Sequence, residues 1–376
     1  MTAPAPALYV HIPFCETKCP YCDFNSFAMG PASDVDRYLE ALEMEFEARG
    51  VPRDPPTIFV GGGTPTVVEP EQLARYLDAI TRRVAPRAGR EFTVEANPGS
   101  LTPQKIGLLR EAGVTRISLG VQSTHDRHLK TLGRVHSVAQ VSQAVAWVRA
   151  GGEFDLNLDF IHSVPGMTLE EWAQTLERAV AWQPEHLSCY ALTFERGTPF
   201  FGRLEGGTLI RTPEELELTM FRLTNRLLCR AGFEHYEISN YCLPGKMCEH
   251  NVTYWRNCGY IGFGAGACSH LDGWRLGNER NVARYIEAID RRKEAFVSRE
   301  KLTGIEGVRE TIVLGLRLAE GVDLVEVGER FGIDVEQYFA DRIDRLLEGG
   351  LVHLDPRLRL ARRGWRLADE IAQEFL

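Results

Sequence analysis

The sequence predicts an α/β fold, a partly open (β/α)6 barrel followed by a mostly helical, winged-helix-like C-terminal domain. Three observations predict it. Short β-rich apolar runs alternate with helix-period segments from Leu8 to about Tyr241, in units of roughly thirty to forty residues. Glycine or polar residues stand at the ends of successive strands, where ligands of parallel α/β folds collect. Beyond about Ser298 the alternation stops, and helical segments lead into a short hairpin.

Taken in order, strands are expected at Leu8–Ile12, Thr57–Val60, Phe92–Glu95, Arg116–Val121, Leu156–Ile161 and His186–Leu192, with a further one at His235–Ser239. Between them, helical periodicity covers Val35–Ala48, Pro70–Val84, Thr102–Ala112, Val138–Ala150, Leu169–Trp182 and Pro213–Ala231. Gly113, Gly151 and Gly232 stand where helices end. This rhythm implies right-handed βαβ crossovers and a parallel sheet; the pattern alone fits a flat doubly wound sheet as well as the barrel. Residues 1–241 are expected to form the barrel core. Residues 242–297, rich in Gly, Asn and aromatics, break the rhythm and read as an ordered lid or extension, not another βα unit. Residues 298–376 form the cap domain, with helices near Glu306–Ala319, Leu324–Phe331 and Val335–Leu347 before a hairpin, Leu351–Leu354 and Leu358–Ala361.

The chain has 376 residues, 44% of them hydrophobic and 25% charged, enough apolar material for two domains. A net charge of −9 argues against a broad nucleic-acid surface. The stretch Arg357 to Arg366 is locally basic and reads first as a solvated face, with a docking surface for a protein or anionic lipid as the alternative. No signal peptide or membrane-spanning run is visible, and nine cysteines suggest reduced thiols or metal ligands. A cytoplasmic location is the expectation.

Cys15, Cys19 and Cys22 follow the first strand in a CxxxCxxC loop, a spacing that lets three thiolates converge on an iron–sulfur cluster. Four irons and three thiolates leave one iron open to a small molecule. A zinc site using His11 as fourth ligand is the competing reading. Gly61-Gly62-Gly63-Thr64-Pro65-Thr66 follows a strand and precedes a helix, so backbone can approach a ligand closely there. Glu95 and Gln122 end the next two strands, and Asp159 lies within the fifth.

Tyr9-x-His11-Ile12-Pro13-Phe14-Cys15-x-x-x-Cys19-x-Tyr21-Cys22, followed by Gly61 to Thr66, resembles the radical SAM superfamily. More narrowly it resembles the group containing oxygen-independent coproporphyrinogen III oxidase and HemW-type haem chaperones. The resemblance implies that Cys15, Cys19 and Cys22 hold a [4Fe–4S] cluster whose free iron is chelated by S-adenosylmethionine. It implies contacts from Tyr9, Gly62 and Glu95 to that molecule. It also matches Tyr21, Gly63, Thr64, Gln122, Arg134 and Asp159 to positions around a second. The implied chemistry is one-electron reduction of the sulfonium, giving methionine and a 5′-deoxyadenosyl radical.

Two departures separate the chain from the oxidase. Phe24 stands where the oxidase group carries a further cysteine, and only seven residues precede the first strand. His250-Asn251-Val252-Thr253-Tyr254-Trp255 matches the HNxxYW signature of the HemW branch, which implies haem as cargo and His250, Asn251, Tyr254 and Trp255 as its contacts. From the residues alone, a buried, hydrogen-bonded histidine in an ordered loop, with Tyr254 and Trp255 as core, is the favoured reading; the resemblance shifts the expectation to haem. The expected function is delivery of haem to acceptor proteins, membrane-associated ones among them. The alternatives are coproporphyrinogen III oxidation and another two-S-adenosylmethionine radical enzyme, such as a methyltransferase. The segment His162-Ser163 departs from the group's aromatic-Gly pattern, so no substrate role is assigned there. Cys242, Cys248, Cys258 and Cys268 are spaced too irregularly for a second metal site.

Overall fold

Strands that alternate apolar and polar side chains bury one set against helices and leave the other facing its own kind across the sheet. In the computed structural model, which describes residues 5–30 and 32–376, six such strands run parallel. They are β1 (Ala7–Ile12), β2 (Thr57–Gly62), β3 (Glu91–Ala96), β4 (Arg116–Gln122), β5 (Asp155–His162) and β6 (His186–Ala191), paired in that order. Leu8, Val10, Ile58, Val60, Val94, Leu119, Leu158 and Leu187 are buried in one core with the flanking helices. The other set includes Tyr9, His11, Phe59, Glu95, Ser118, Asn157, Asp159 and Ser188, many of them polar. A polar interior of this kind is expensive unless it hydrogen-bonds itself or a ligand, and this one does the first. Ser118 Oγ donates to Asp159 at 3.0 Å, Asn157 Nδ2 donates to Asp159 at 2.9 Å, and Ser188 Oγ donates to Asn157 Oδ1 at 3.2 Å.

The connecting helices carry the caps that their sequences announce. Ser137 with Gln140 and Thr168 with Glu171 form capping boxes at Val138–Gly151 and Leu169–Ala181.

The segment expected to be a lid is instead more sheet. The chain adds β7 (Glu234–Glu237) and β8 (Asn240–Cys242) antiparallel beyond β6, forms a helix over Glu249–Trp255, and returns to the opposite side. There β9 (Tyr260–Phe263) lies parallel to β1, with Tyr9 opposite Gly262. The strands β10 (Cys268–Leu271), β11 (Trp274–Asn278) and β12 (Phe296–Lys301) continue antiparallel, giving twelve strands in one sheet among the described residues. A seventh parallel strand therefore joins the expected six, and the first strand has a neighbour on each side.

The buried Glu45, on helix Ala32–Arg49, fastens this extension. Its two oxygens accept from Gly264 N (2.8 Å), Tyr285 Oη (2.7 Å), Asn278 Nδ2 (2.8 Å) and Arg49 Nη1 (2.7 Å). The C-terminal helices Ile305–Gly315, Leu324–Phe331 and Val335–Glu348 and the hairpin Val352–Leu354/Leu358–Leu360 enclose a separate core around Ile312, Phe339, Ile343, Leu358 and Phe375. Tyr236, Cys242, Val252 and Leu318, with Trp255 against them, form a small apolar joint between the two cores.

Candidate functional site

The cysteine loop leaves β1 and is tied at both ends. At its base Phe27 N donates to Pro13 O (2.8 Å) and Met29 N to Cys15 O (2.7 Å), and a turn from Cys22 N to Cys19 O (3.1 Å) sets two of the cysteines on one bend. Farther out, Asn25 Nδ2 donates to Ala265 O (2.9 Å) and Arg280 O (3.0 Å), which anchors the loop to the extension. His11 Nε2 reaches Asn25 O at 2.8 Å, and its Nδ1 meets the Tyr9 hydroxyl at 2.8 Å. Burial lowers His11 to about 4, so the ring is neutral: Nε2–H donates to Asn25 and Nδ1 accepts from Tyr9. Both nitrogens are engaged, which removes His11 as the fourth ligand of a zinc site. It is a strut under the loop.

Each cysteine sulfur has its own polar neighbour. Thr64 Oγ1 lies 3.8 Å from Cys15, Arg134 Nη1 3.4 Å from Cys19, and Ser26 Oγ 3.8 Å from Cys22. Burial pushes the Cys15 and Cys22 thiols up, so thiolates there need positive charge to persist, which iron supplies. All three thiols of the loop thus have a polar neighbour of their own. Among the described residues, no three His, Cys, Asp or Glu side chains converge on a single-ion site.

The three glycines at the end of β2 each answer a separate close approach. A side chain at Gly61 would meet Glu95 Oε2 at 2.8 Å; at Gly62, the His11 ring at 2.6 Å; at Gly63, the Phe14 carbonyl oxygen at 2.5 Å. Gly62 also has φ +117°, open chiefly to glycine. Gly63 N and Thr64 N donate to Ile12 O (2.8 Å) and Phe14 O (2.7 Å), joining this turn to the start of the cysteine loop. Asn97 continues the connection: its Nδ2 donates to Thr64 Oγ1 at 2.7 Å, and its Oδ1 accepts from Arg134, which also donates to Gly120 O at 3.1 Å. Gln122 turns out of β4 with φ +67°. Tyr21 lies near Arg134 and packs 6.2 Å from Phe200, whose amide donates to Pro20 O at 2.9 Å. Thus Tyr9, Tyr21, Gly62, Gly63, Thr64 and Arg134 gather at the loop, with Asn25 and Asn97 as supports that nothing in their sequence context marks.

Glu95 accepts from Gly62 N at 3.0 Å. Burial, then the charge of Asp159, pushes its carboxyl up to about 7, against the pull of the Gly62 amide. Burial also raises Asp159, with Ser118 and Asn157 donating to it.

The HNxxYW helix lies at the other end of the barrel, beneath the first residues of β2, β3 and β4. Glu91 accepts from the amides of Glu249 and His250, each at 2.9 Å. The buried Arg116 donates to Lys246 O (3.1 Å) and Met247 O (2.9 Å). His250 is 0% exposed, with Nδ1 on Thr57 Oγ1 and Nε2 on Tyr254 Oη, both at 2.8 Å, and its ring stacked on Phe59. Burial lowers it to about 3. So placed, His250 has no nitrogen for iron; Tyr254 completes its hydrogen bonding, and Trp255 lies under Arg317 in the joint to the C-terminal core. Of the four expected haem contacts, His250 and Tyr254 are thus engaged with each other in a helix that plugs the barrel, while Asn251 on the same helix is half-buried. His250→Ala should cost about 3 kcal/mol by orphaning Thr57 and Tyr254 and leaving a void, measured by denaturant unfolding. A loss below about 1 kcal/mol would contradict the plug.

His162 and Ser163 sit behind the sheet, His162 against Trp172, away from the polar interior. Ser163 has φ +61°, which explains glycine as the usual occupant. Cys242 and Cys248 are buried, while Cys258 and Cys268 are exposed.

A parallel barrel whose first strand ends in a three-cysteine loop, clasped by a triple-glycine turn, defines a radical SAM protein. The Radical SAM superfamily matches residues 9–179, and the HemN C-terminal domain matches residues 302–367. The chain is 37% identical to Heme chaperone HemW of Bacillus subtilis, over 98% of each chain. It is 36% identical to Heme chaperone HemW of Escherichia coli, over 80% of this chain and 83% of that one. It belongs to the HemW family. Coproporphyrinogen III oxidase (HemN) from Escherichia coli shares the fold, with a TM-score of 0.87 at 22% identity over 99% of this chain and 90% of that one. Membership of the radical SAM superfamily implies a [4Fe–4S] cluster and S-adenosylmethionine. No helix among the described residues is long and apolar enough to cross a membrane.

Proposed function

We propose that this chain binds haem and hands it to acceptor proteins in the cytoplasm, membrane-associated acceptors among them, on a scaffold that carries the cluster and S-adenosylmethionine. The observation that carries this reading is the likeness to HemW relatives over 98% of both chains. Phe24 supports it against the oxidase reading. It is 65% exposed beside the loop and offers no further sulfur there. Haem titration of the anaerobically reconstituted protein, paired with coproporphyrinogen III turnover under S-adenosylmethionine and a reductant, tests it. Stoichiometric haem binding without turnover is expected; sustained protoporphyrinogen formation would overturn the reading.

The loaded cluster supplies one-electron reduction of the sulfonium. The residues that would hold it are Cys15, Cys19 and Cys22, with Thr64, Arg134 and Ser26 donating to their sulfurs. Tyr9, Gly62 and Glu95 would hold S-adenosylmethionine, with the Glu95 carboxylate as the acceptor for its α-ammonium. Tyr21, Gly63, Thr64, Gln122, Arg134 and Asp159 would line a second S-adenosylmethionine position; equilibrium dialysis that finds two molecules per chain supports this, and one refutes it.

Because the Glu95 carboxyl titrates at about 7, binding must remove a proton below that pH. Affinity for S-adenosylmethionine should rise with pH by up to about tenfold per unit to about pH 7, then fall above about 8 as the ligand's amine deprotonates. Glu95→Gln should bind more weakly and flatten the rising limb. A wild-type affinity flat from about pH 5.5 to 7 contradicts the assignment.

A further inference from the structure

A cavity of ≈650 Å³ lies outside the barrel, between helix Glu214–Arg230 and the C-terminal hairpin. Arg222 from the helix and Arg359, Arg362, Arg363 and Arg366 from the hairpin region line it, and no acidic residue does. Neighbouring arginines are satisfied: Arg357 lies 3.7 Å from Glu320, and Arg345 lies 3.3 Å from Glu374. Among the described residues, the side chains of the five lining arginines have neither ion pair nor hydrogen bond. In a chain of net charge −9, five unpaired guanidinium groups around one hollow call for an anionic ligand.

The remaining wall narrows the chemistry. Phe221, Trp365 and Leu360 supply apolar surface, and the volume lies within the range of small-molecule and cofactor pockets. His235 is stacked on Tyr241 (4.2 Å) and tilted against Trp365 (4.3 Å), with its nitrogens on Asn225 and Ile238 O, so it stiffens the floor. His353 differs. It is exposed, has no hydrogen-bond partner among the described residues, and stands opposite Arg359 in the hairpin, on the same face.

Resting on the haem-handling reading above, we infer that this cavity is the cargo site, taking an iron porphyrin. The propionates lie against the arginines, the macrocycle against Phe221 and Trp365, and the His353 imidazole is an axial ligand. The basic stretch Arg357–Arg366 is then a recognition surface. An anionic plane with carboxylates on one edge and a metal at its centre uses the guanidinium groups, the aromatic wall and the unengaged imidazole together; a lipid headgroup would leave the last two unused.

The test is haem titration of the reconstituted full chain, followed by its absorbance. Arg362→Gln/Arg363→Gln should weaken haem binding at least about tenfold without changing the melting temperature, because both side chains are exposed. His353→Ala should shift the haem absorbance bands, and the dimethyl ester of haem should bind wild type and double variant alike. Wild-type affinity and spectrum in both variants would overturn the site while leaving haem handling intact. A wild type that does not bind haem would overturn the functional reading itself. Loss of binding to phosphatidylglycerol vesicles in the double variant, with haem affinity unchanged, would assign the cavity to lipid and also overturn the proposal.

Discussion

Replacing Gly63 by alanine should lower the iron and sulfide retained after anaerobic reconstitution at least about tenfold. The added carbon would sit 2.5 Å from Phe14 O and 2.9 Å from the carbonyl carbons of Phe14 and Pro13, all of them backbone. No rotamer relieves such an overlap, so the turn must separate from the loop and break the amide bonds from Gly63 and Thr64. Cys15 directly follows Phe14, and Thr64 reaches its sulfur, so both the ligand and its polar neighbour move. Gly99→Ala is the matched control: a side chain there meets nothing closer than 3.7 Å. Full iron content in the Gly63 variant would show that the turn does not brace the loop.

Glu45→Ala should lower stability by about 3–5 kcal/mol, because it leaves the largely buried Arg49 and three further donors without their acceptor. That corresponds to a fall in apparent melting temperature of about 10 °C. Since three of the four donors belong to residues 264–285, the loss should be local as well as global. Limited proteolysis should open between β9 and β12 first, and Glu45→Gln, which keeps one acceptor, should fall between variant and wild type. A melting point within about 2 °C of wild type would sink the prediction.

The six barrel strands and the C-terminal helices were legible because period two and period 3.6 are physical consequences of burial on one face. Observed bounds differ from the expected ones by a few residues at most, as at β2, which runs on through Gly62. The extension was not legible as sheet. Its strands are short, and Gly262 and Gly264 replace the side chains that would mark an alternation. A side chain at Gly262 would strike Cys268 O at 2.1 Å, and one at Gly264 the Tyr38 hydroxyl at 2.4 Å. Local pattern cannot report a partner strand that far along the chain. The cysteine loop at the end of the first strand and the glycine turn that packs on it were readable from spacing. His11 and His250 were not, because ligand and strut use the same imidazole and only the partners of both nitrogens separate them. The arginine cavity was half visible as a basic stretch; its other wall comes from a helix more than a hundred residues earlier.

The pairing of β9 with β1 also sets an order of events. Asn25 holds the cysteine loop through Ala265 and Arg280, 240 and 255 residues downstream. During synthesis the three cysteines therefore emerge long before this anchor, which forms only when about three-quarters of the chain has been made. The tie from Asn25 is thus among the last contacts the loop gains, and a fragment that ends before Ala265 lacks it.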